Sequence, residues 1–129
     1  MNVSSLNVLN SESANLLGVP YTEDDTSLAL DERIKKMITS ADIFLFMKGN
    51  VASPKCGFSG NVVGLLNHLN ATYKTFDILS DFELREGIKK YSDWPTYPQL
   101  YYKGELIGGN DILMELYQQG DLPSTLGLE

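Results

Sequence analysis

Cys56 is the only cysteine of the chain, set in Lys55-Cys56-Gly57-Phe58-Ser59 after the apolar run Ile43 to Met47 and before a helical pattern. Ser59 stands where a dithiol redox motif would carry its second sulfur. The chain alone therefore closes no local disulfide and offers a metal one thiolate at most, so any sulfur chemistry must borrow a partner. A free thiol has a pKa of about 8.5, and a helix N-terminus beside cations lowers it, because unpaired backbone N–H groups and the dipole favour the thiolate. With the helix start behind it and Lys48 and Lys55 nearby, Cys56 is expected to be a reactive thiolate. The alternative is the inert, buried cysteine common in protein cores.

Two further motifs suit that sulfur. Trp94-Pro95-Thr96-Tyr97-Pro98-Gln99 holds two prolines three apart, the second opening a strand, which makes a rigid elbow. A cis Tyr97–Pro98 bond would turn the Tyr97 N–H and C=O outward to pair with an extended peptide; a trans bond would leave an ordinary loop. Gly108-Gly109-Asn110-Asp111 precedes the last helical pattern. Its glycines permit close backbone approach and the N–H groups of a helix start suit a carboxylate, although a plain helix cap has the same composition.

Other residues carry plainer expectations. Ser59 has no His–acid relay near it in sequence, which points to capping or hydrogen bonding. His68, between Asn67 and Asn70, reads as a solvated face. Phe44, Phe46 and Phe76 read as core, and Phe58 as either core or a partly exposed dimer or partner surface. Tyr101 and Tyr102 are consecutive in a strand, so one should point inward and one outward.

The elements that must position these residues follow from periodicity. Leu30, Ile34, Met37 and Ile38 repeat as an amphipathic helix that begins at Leu30-Asp31, an N-cap type residue, and ends near Ser40. Ile43 to Met47 is a continuous apolar run, the pattern of a central strand buried on both faces. Gly49 to Lys55 is a loop, and Val62, Val63, Leu65, Leu66 and Leu69 form a helix, with Cys56 at or just before its N-terminus. Tyr73 to Leu79 alternates as a strand, and Asp81 to Tyr91 reads as a short helix. Gln99 to Tyr102 and Glu105 to Ile107 form a hairpin about Lys103-Gly104, and Ile112, Leu113, Leu116 and Tyr117 belong to a closing helix. A βαβ unit followed by a hairpin and a covering helix predicts an α/β, thioredoxin-like fold: a four-stranded mixed sheet flanked by helices.

Length and charge bound the function. The chain has 129 residues, of which 43% are hydrophobic, enough for one domain with its own core. Residues 1–29, polar and without a sustained period, are expected to be a flexible N-terminal tail or linker, with a short helix around Asn15 to Leu17 as the alternative; residues 30–129 are the domain. The formal charge is −7. Glu12, Glu23, Asp24 and Asp25 lie in the first thirty residues, which hold no Lys or Arg, so the rest of the chain is nearly balanced. No basic stripe exists to displace counterions from a nucleic acid, and no apolar stretch has the length of a membrane span. Lys48, Lys55, Arg85, Lys89 and Lys90 flank the motifs, so a small anionic ligand is expected in place of a polyanion. One cysteine fits a reducing compartment: cytoplasm, nucleus, or an organelle matrix if a transit peptide was removed.

Taken together, Phe46-Met47-Lys48-Gly49, Pro54-Lys55-Cys56-Gly57-Phe58-Ser59, Phe76-Asp77-Ile78-Leu79, Leu84-Arg85-Glu86-Gly87-Ile88-Lys89, Trp94 to Leu100 and Gly108-Gly109-Asn110-Asp111-Ile112 resemble the monothiol glutaredoxins of the Cys-Gly-Phe-Ser class. The resemblance runs from about Leu30 to Leu126 and is strongest to the glutaredoxin domains of multidomain cytosolic members, so the chain is either a stand-alone form or one such domain. It implies a glutathione site. Lys48 and Arg85, helped by Lys89, would pair with the glycine carboxylate; the Tyr97 backbone beside Pro98, supported by Thr96, would hold the cysteinyl segment; and Gly109, Asn110 and Asp111 would hold the γ-glutamyl end. It also implies a [2Fe-2S] cluster ligated by Cys56 and bridged across a homodimer, each protomer adding one glutathione, with BolA-like proteins and apo iron–sulfur clients as partners. The residues agree with that stoichiometry, since such a cluster takes four thiolates and one chain has one. The rival reading is a thiol–disulfide oxidoreductase that removes glutathione from proteins by a monothiol route. Asn110 departs from the family pattern, standing where many members have cysteine; this makes thiol–disulfide turnover harder without touching cluster ligation.

Overall fold

A computed structural model describes residues 17–23 and 28–128. The strands are β1 (Gly18–Pro20), β2 (Ile43–Met47), β3 (Tyr73–Asp77), β4 (Gln99–Tyr102) and β5 (Glu105–Gly108). The helices are α1 (Leu30–Ile38), α2 (Gly57–His68), α3 (Phe82–Ser92), α4 (Asn110–Gln118) and α5 (Leu122–Thr125). They build one mixed sheet in the order β1-β3-β2-β4-β5, with β1, β3 and β2 parallel and β4 and β5 antiparallel.

β2 is the spine, and all five of its residues are buried. Strand alternation sends Ile43, Leu45 and Met47 to one face, where they pack with Val62, Leu66, Leu100, Leu113, Leu122 and Leu126. Phe44 and Phe46 go to the other face, against Ile34, Met37, Ile38, Ile78, Leu84, Ile88 and Tyr101. An apolar run of strand length thus cores both faces, which is why it had no polar alternation to read. In the β4–β5 turn Lys103 and Gly104 both take positive φ, 49° and 82°, the conformation a two-residue hairpin requires. Tyr101 is buried; Tyr102 is half-buried against the opposite cluster, so it is covered more than an outward residue would be.

Several boundaries differ from expectation for local reasons. β3 stops at Asp77 because the Asp77 carboxylate accepts from the N–H of Leu79 and caps a 3-10 turn, Ile78–Ser80. Asp81 is the cap of α3, its Oδ1 accepting from Leu84 N at 3.0 Å. α1 is preceded by Ala29 without a side-chain cap, and Asp31 lies in its first turn, where its charge complements the dipole. α5 has no counterpart in the expected elements, being too short for a helical period to show: Leu122 and Leu126 flank a Pro-started turn and fill the core beside α4.

The larger correction is the fifth strand. Gly18–Pro20 lies within the stretch expected to be a tail, and pairs with the outer edge of β3 through Tyr73 N to Leu17 O (2.9 Å) and Tyr21 N to Thr75 O (2.7 Å). A side chain at position 18 would meet Tyr73 and Val51 at under 3 Å, so only glycine admits this approach. Of the helix considered around Asn15 to Leu17, Asn15 and Leu16 lie outside the described residues, and Leu17 sits in a bend. Arg33, 7% exposed, ties the segment down: Nε and Nη2 donate to the two oxygens of Glu23 at 2.9 and 2.6 Å, and Nη2 also reaches Asp81 at 3.2 Å. The Glu23 bond, against the opposing effect of burial and with help from Asp81, holds the guanidinium above its ordinary pKa. Glu23→Ala strips a partner from a buried cation and is expected to cost about 2 kcal/mol. A lower urea midpoint with an unchanged slope would confirm this; an unchanged midpoint would mean the latch contributes nothing.

Candidate functional site

The sequence places Cys56 one residue ahead of α2, and the fold makes it the N-cap, with extended φ and ψ of −151° and 153°. Its Sγ accepts from the Ser59 backbone N–H at 3.3 Å, the bond a Ser or Asp oxygen would make in a common cap. The Ser59 hydroxyl lies 3.4 Å from the same sulfur. Ser59 is fully buried, and its Oγ accepts from the N–H of Lys48 at 3.0 Å. With a lone pair committed to the end of β2, the hydroxyl proton is free to face the sulfur. Ser59 therefore performs the hydrogen-bonding role its sequence context suggested.

The loop between β2 and Cys56 is closed on itself. Lys55 N donates to Lys48 O at 2.8 Å, Ser53 N to Asn50 O at 3.1 Å, and Gly49 N to Asp77 Oδ1 at 2.9 Å. Gly49, at φ 88°, is where this turn requires a residue without a Cβ. The sulfur itself bonds to Ser59 of its own helix, and the loop that leads to it is held to Lys48 after β2 and to Asp77 at the end of β3. Cys56 is half-buried, and no atom would lie within 4 Å of a Cβ at Gly57, so the approach to the sulfur is open on that side. Burial alone would push the thiol up; the Ser59 hydroxyl, the Ser59 and Phe58 N–H groups and the charge of Lys48 outweigh it and hold Cys56 below the ordinary thiol value.

At the start of α2 opens a cavity of about 290 Å³ lined by Lys48, Phe58, Trp94, Thr96, Tyr97, Pro98, Gly109, Asn110, Asp111 and Ile112; Phe58 is two residues from Cys56, which is not itself a lining residue. The Tyr97–Pro98 bond is cis. The floor of this site is where β2 ends, one wall is the turn before β4, and the other is the start of α4. Gly109 lets these walls meet, since a Cβ there would lie 3.1 Å from Pro98 O. Asn61 Nδ2 donates to Asn110 Oδ1 at 2.6 Å, tying α2 to α4.

Most residues singled out from sequence come together here: Lys48, Thr96, Tyr97, Pro98, Gly109, Asn110 and Asp111 all line the cavity. Arg85 and Lys89 do not. Lys89 pairs with Glu86 at 3.2 Å on α3 and borders a separate, shallower groove with Lys90, Asp93, Trp94 and Pro95. Arg85 is joined to the wall from behind, its carbonyl accepting from the Tyr97 hydroxyl at 2.8 Å, and its Nε is buried with no partner among the described residues. Burial, with smaller contributions from Tyr101 and Glu86, raises the Tyr97 phenol, so it remains a donor. Trp94 and Ile112 are lining residues that received no role from sequence; the only available signal was their position inside the two motifs. Phe58, 61% exposed, is a surface residue and not core. His68 is exposed, its ring edge against Tyr117, as expected of a solvated face.

Residues 43–107 match the family model described as glutaredoxin. The chain is also 51% identical over 94 residues to an uncharacterized monothiol glutaredoxin ycf64-like of Synechocystis, covering 73% of this chain and 88% of that protein. This chain belongs to the glutaredoxin family, among its monothiol members. The monothiol glutaredoxin is likewise 57% identical over 98 residues to monothiol glutaredoxin-S17 of Arabidopsis thaliana, covering 76% of this chain and 20% of the relative. It therefore spans only a fifth of that longer protein. Among solved structures, reduced poplar apo GrxS14 superposes with a TM-score of 0.69 at 46% identity, covering 77% of this chain and 91% of that one. Membership supports a glutathione-dependent role, redox or iron–sulfur, in general terms.

The cavity lining carries one cation, Lys48, and one carboxylate, Asp111, charges of both signs that a zwitterionic ligand would need, and its volume lies at the small end of ligand sites, which begin at about 300 Å³. A cluster finds one thiolate here, and among the described residues no three His, Cys, Asp or Glu side chains gather into a metal site, so the donor set fits only with thiols from outside the chain. Removing the hydroxyl in Ser59→Ala should raise the Cys56 pKa and slow its alkylation by iodoacetamide at neutral pH by about threefold to tenfold. Rate against pH in both proteins checks this; superimposable profiles would show that the hydroxyl does not stabilise the thiolate.

Proposed function

We propose that this glutaredoxin binds glutathione in the cavity beside Cys56 and, with its thiol, carries a [2Fe-2S] cluster between two protomers for delivery to apo-proteins. The observation that carries the reading is a single activated, half-open sulfur next to a cavity that can import the second thiol. In this reading Lys48 pairs with a glutathione carboxylate, with the Arg85 guanidinium adding positive potential from behind the wall. The main chain of Tyr97 beside Pro98 takes the cysteinyl segment, and Asn110 and Asp111 take the γ-glutamyl end. The cluster, as cargo, is bound by two Cys56 thiolates and two glutathione thiolates. Half of that donor set is held only by hydrogen bonds and ion pairs, so the cargo can leave.

The lowered thiol pKa of Cys56 favours a second reading, reduction of glutathionylated proteins. The Cys56 thiolate attacks the glutathione sulfur of the mixed disulfide, breaking its S–S bond and releasing the protein thiolate. A second glutathione thiolate then attacks the Cys56–glutathione disulfide, leaving oxidised glutathione and regenerated Cys56.

Anaerobic reconstitution with iron, sulfide and glutathione decides between them. The carrier reading expects a brown dimer whose colour is absent in Cys56→Ser, whereas a colourless monomer that turns over glutathionylated substrate reverses the ranking. Lys48→Ala should shorten the lifetime of the coloured species by about tenfold while the protein stays folded, as loss of a charge-assisted contact would. An unchanged lifetime would remove Lys48 from the proposed pose.

A further inference from the structure

Gln99 is fully buried, the first residue of β4, and faces the turn that forms one wall of the cavity. A buried carboxamide has two N–H groups and an oxygen to satisfy. Here Nε2 donates to Trp94 O at 3.1 Å and to Thr96 O at 3.2 Å, using both N–H groups on carbonyls two residues apart. Oε1 accepts from the Tyr101 hydroxyl at 2.9 Å. Burial pushes the Tyr101 phenol up to about 12, so this donor is retained at any ordinary pH, and it fixes which end of the amide faces the turn. The same turn is pinned on its other side, where Trp94 N donates to Lys89 O at 3.2 Å.

Four lining residues lie on this turn or directly after it. Trp94, Thr96, Tyr97 and Pro98 all border the cavity, and the carbonyls of the first two are the ones Gln99 holds. Trp94 also sets the far wall, because its Nε1 would lie 3.4 Å from a Cβ at Gly109. We propose that Gln99 is a positioning residue for the ligand cavity, locking the Trp94–Thr96 turn so that the wall which receives glutathione is formed before ligand arrives. The ligand named here rests on the glutathione reading above; the clamp itself does not. Gln99 touches neither the cavity nor Cys56, so it acts only through the turn. A preformed wall spares the ligand the ordering of a loop, which is how a buried side chain can govern affinity.

Trp94 is the only tryptophan of the chain, so its fluorescence reports on this turn directly. Gln99→Met preserves bulk and removes all three hydrogen bonds. In folded Gln99→Met, acrylamide quenching of Trp94 should rise and glutathione affinity should fall by about tenfold, while the Cys56 alkylation profile stays that of the wild type. Wild-type quenching, or wild-type affinity despite raised quenching, overturns the proposal; a lower melting temperature with unchanged affinity would make Gln99 merely structural. If Gln99→Met does not fold, Tyr101→Phe, which removes only the outer bond, decides on the same two readouts with a smaller expected loss of about threefold. Failure of the wild-type protein to bind glutathione would sink the glutathione reading alone, and Gln99 would then stand or fall on Trp94 quenching.

Discussion

A buried hydroxyl holds the chemistry of this molecule together. Ser59 Oγ accepts from the N–H of Lys48, the residue directly after the central strand, and faces the sulfur at the start of α2. Without that link the strand end and the helix start would be tied only through the loop and its Lys55 N to Lys48 O bond, and the sulfur would lose its hydroxyl partner. With it, Cys56 becomes part of the sheet's geometry while remaining half-open. The electrostatic result follows from the same contacts: two N–H groups, a hydroxyl and a lysine charge overcome the burial that positioning entails.

The cavity at the start of α2 is assembled from elements far apart in the chain, and each is held by a different device. Lys48 follows β2 in a loop closed by main-chain bonds and by Asp77. The turn that runs into the cis bond is clamped from below by Gln99 and from α3 by Lys89 O and Arg85 O. The start of α4 is admitted by Gly109 and tied to α2 by Asn61. β2 supports all of this by coring both faces of the sheet, so the walls rest on buried strands and not on loops alone.

Where sequence reasoning fell short, long-range partners were the cause. The fifth strand is three residues long and ends in proline, too short for alternation to register, and its stability comes from β3, from Arg33 and from the missing Cβ of Gly18. Arg33 received no role from the sequence; Glu23 and Asp81, ten and forty-eight residues away, make it a buried anchor. Arg85 and Lys89 shared a motif with the expected site, yet neither lines the cavity: Arg85 meets the wall through its carbonyl and Lys89 pairs with Glu86. Gln99 gave no sign of a role, because an amide at the start of a strand acquires meaning only from the carbonyls it meets.

The chain's own order of residues determined the solitary thiol, its place at a helix start, the central strand buried on both faces, the hairpin, and a family resemblance carried by several short motifs. Those features depend on neighbours within a few residues, where periodicity and turn chemistry operate. Only the tertiary structure decided which cations reach the cavity, that the Tyr97–Pro98 bond is cis, that the sheet has a fifth strand, and that Ser59 and Gln99 brace the site. The fifth strand and the Ser59 brace depend on hydrogen bonds between segments that the sequence separates and the packed sheet brings within about 3 Å, while the partners of Gln99 lie two to five residues away and are aimed at it only by the folded turn.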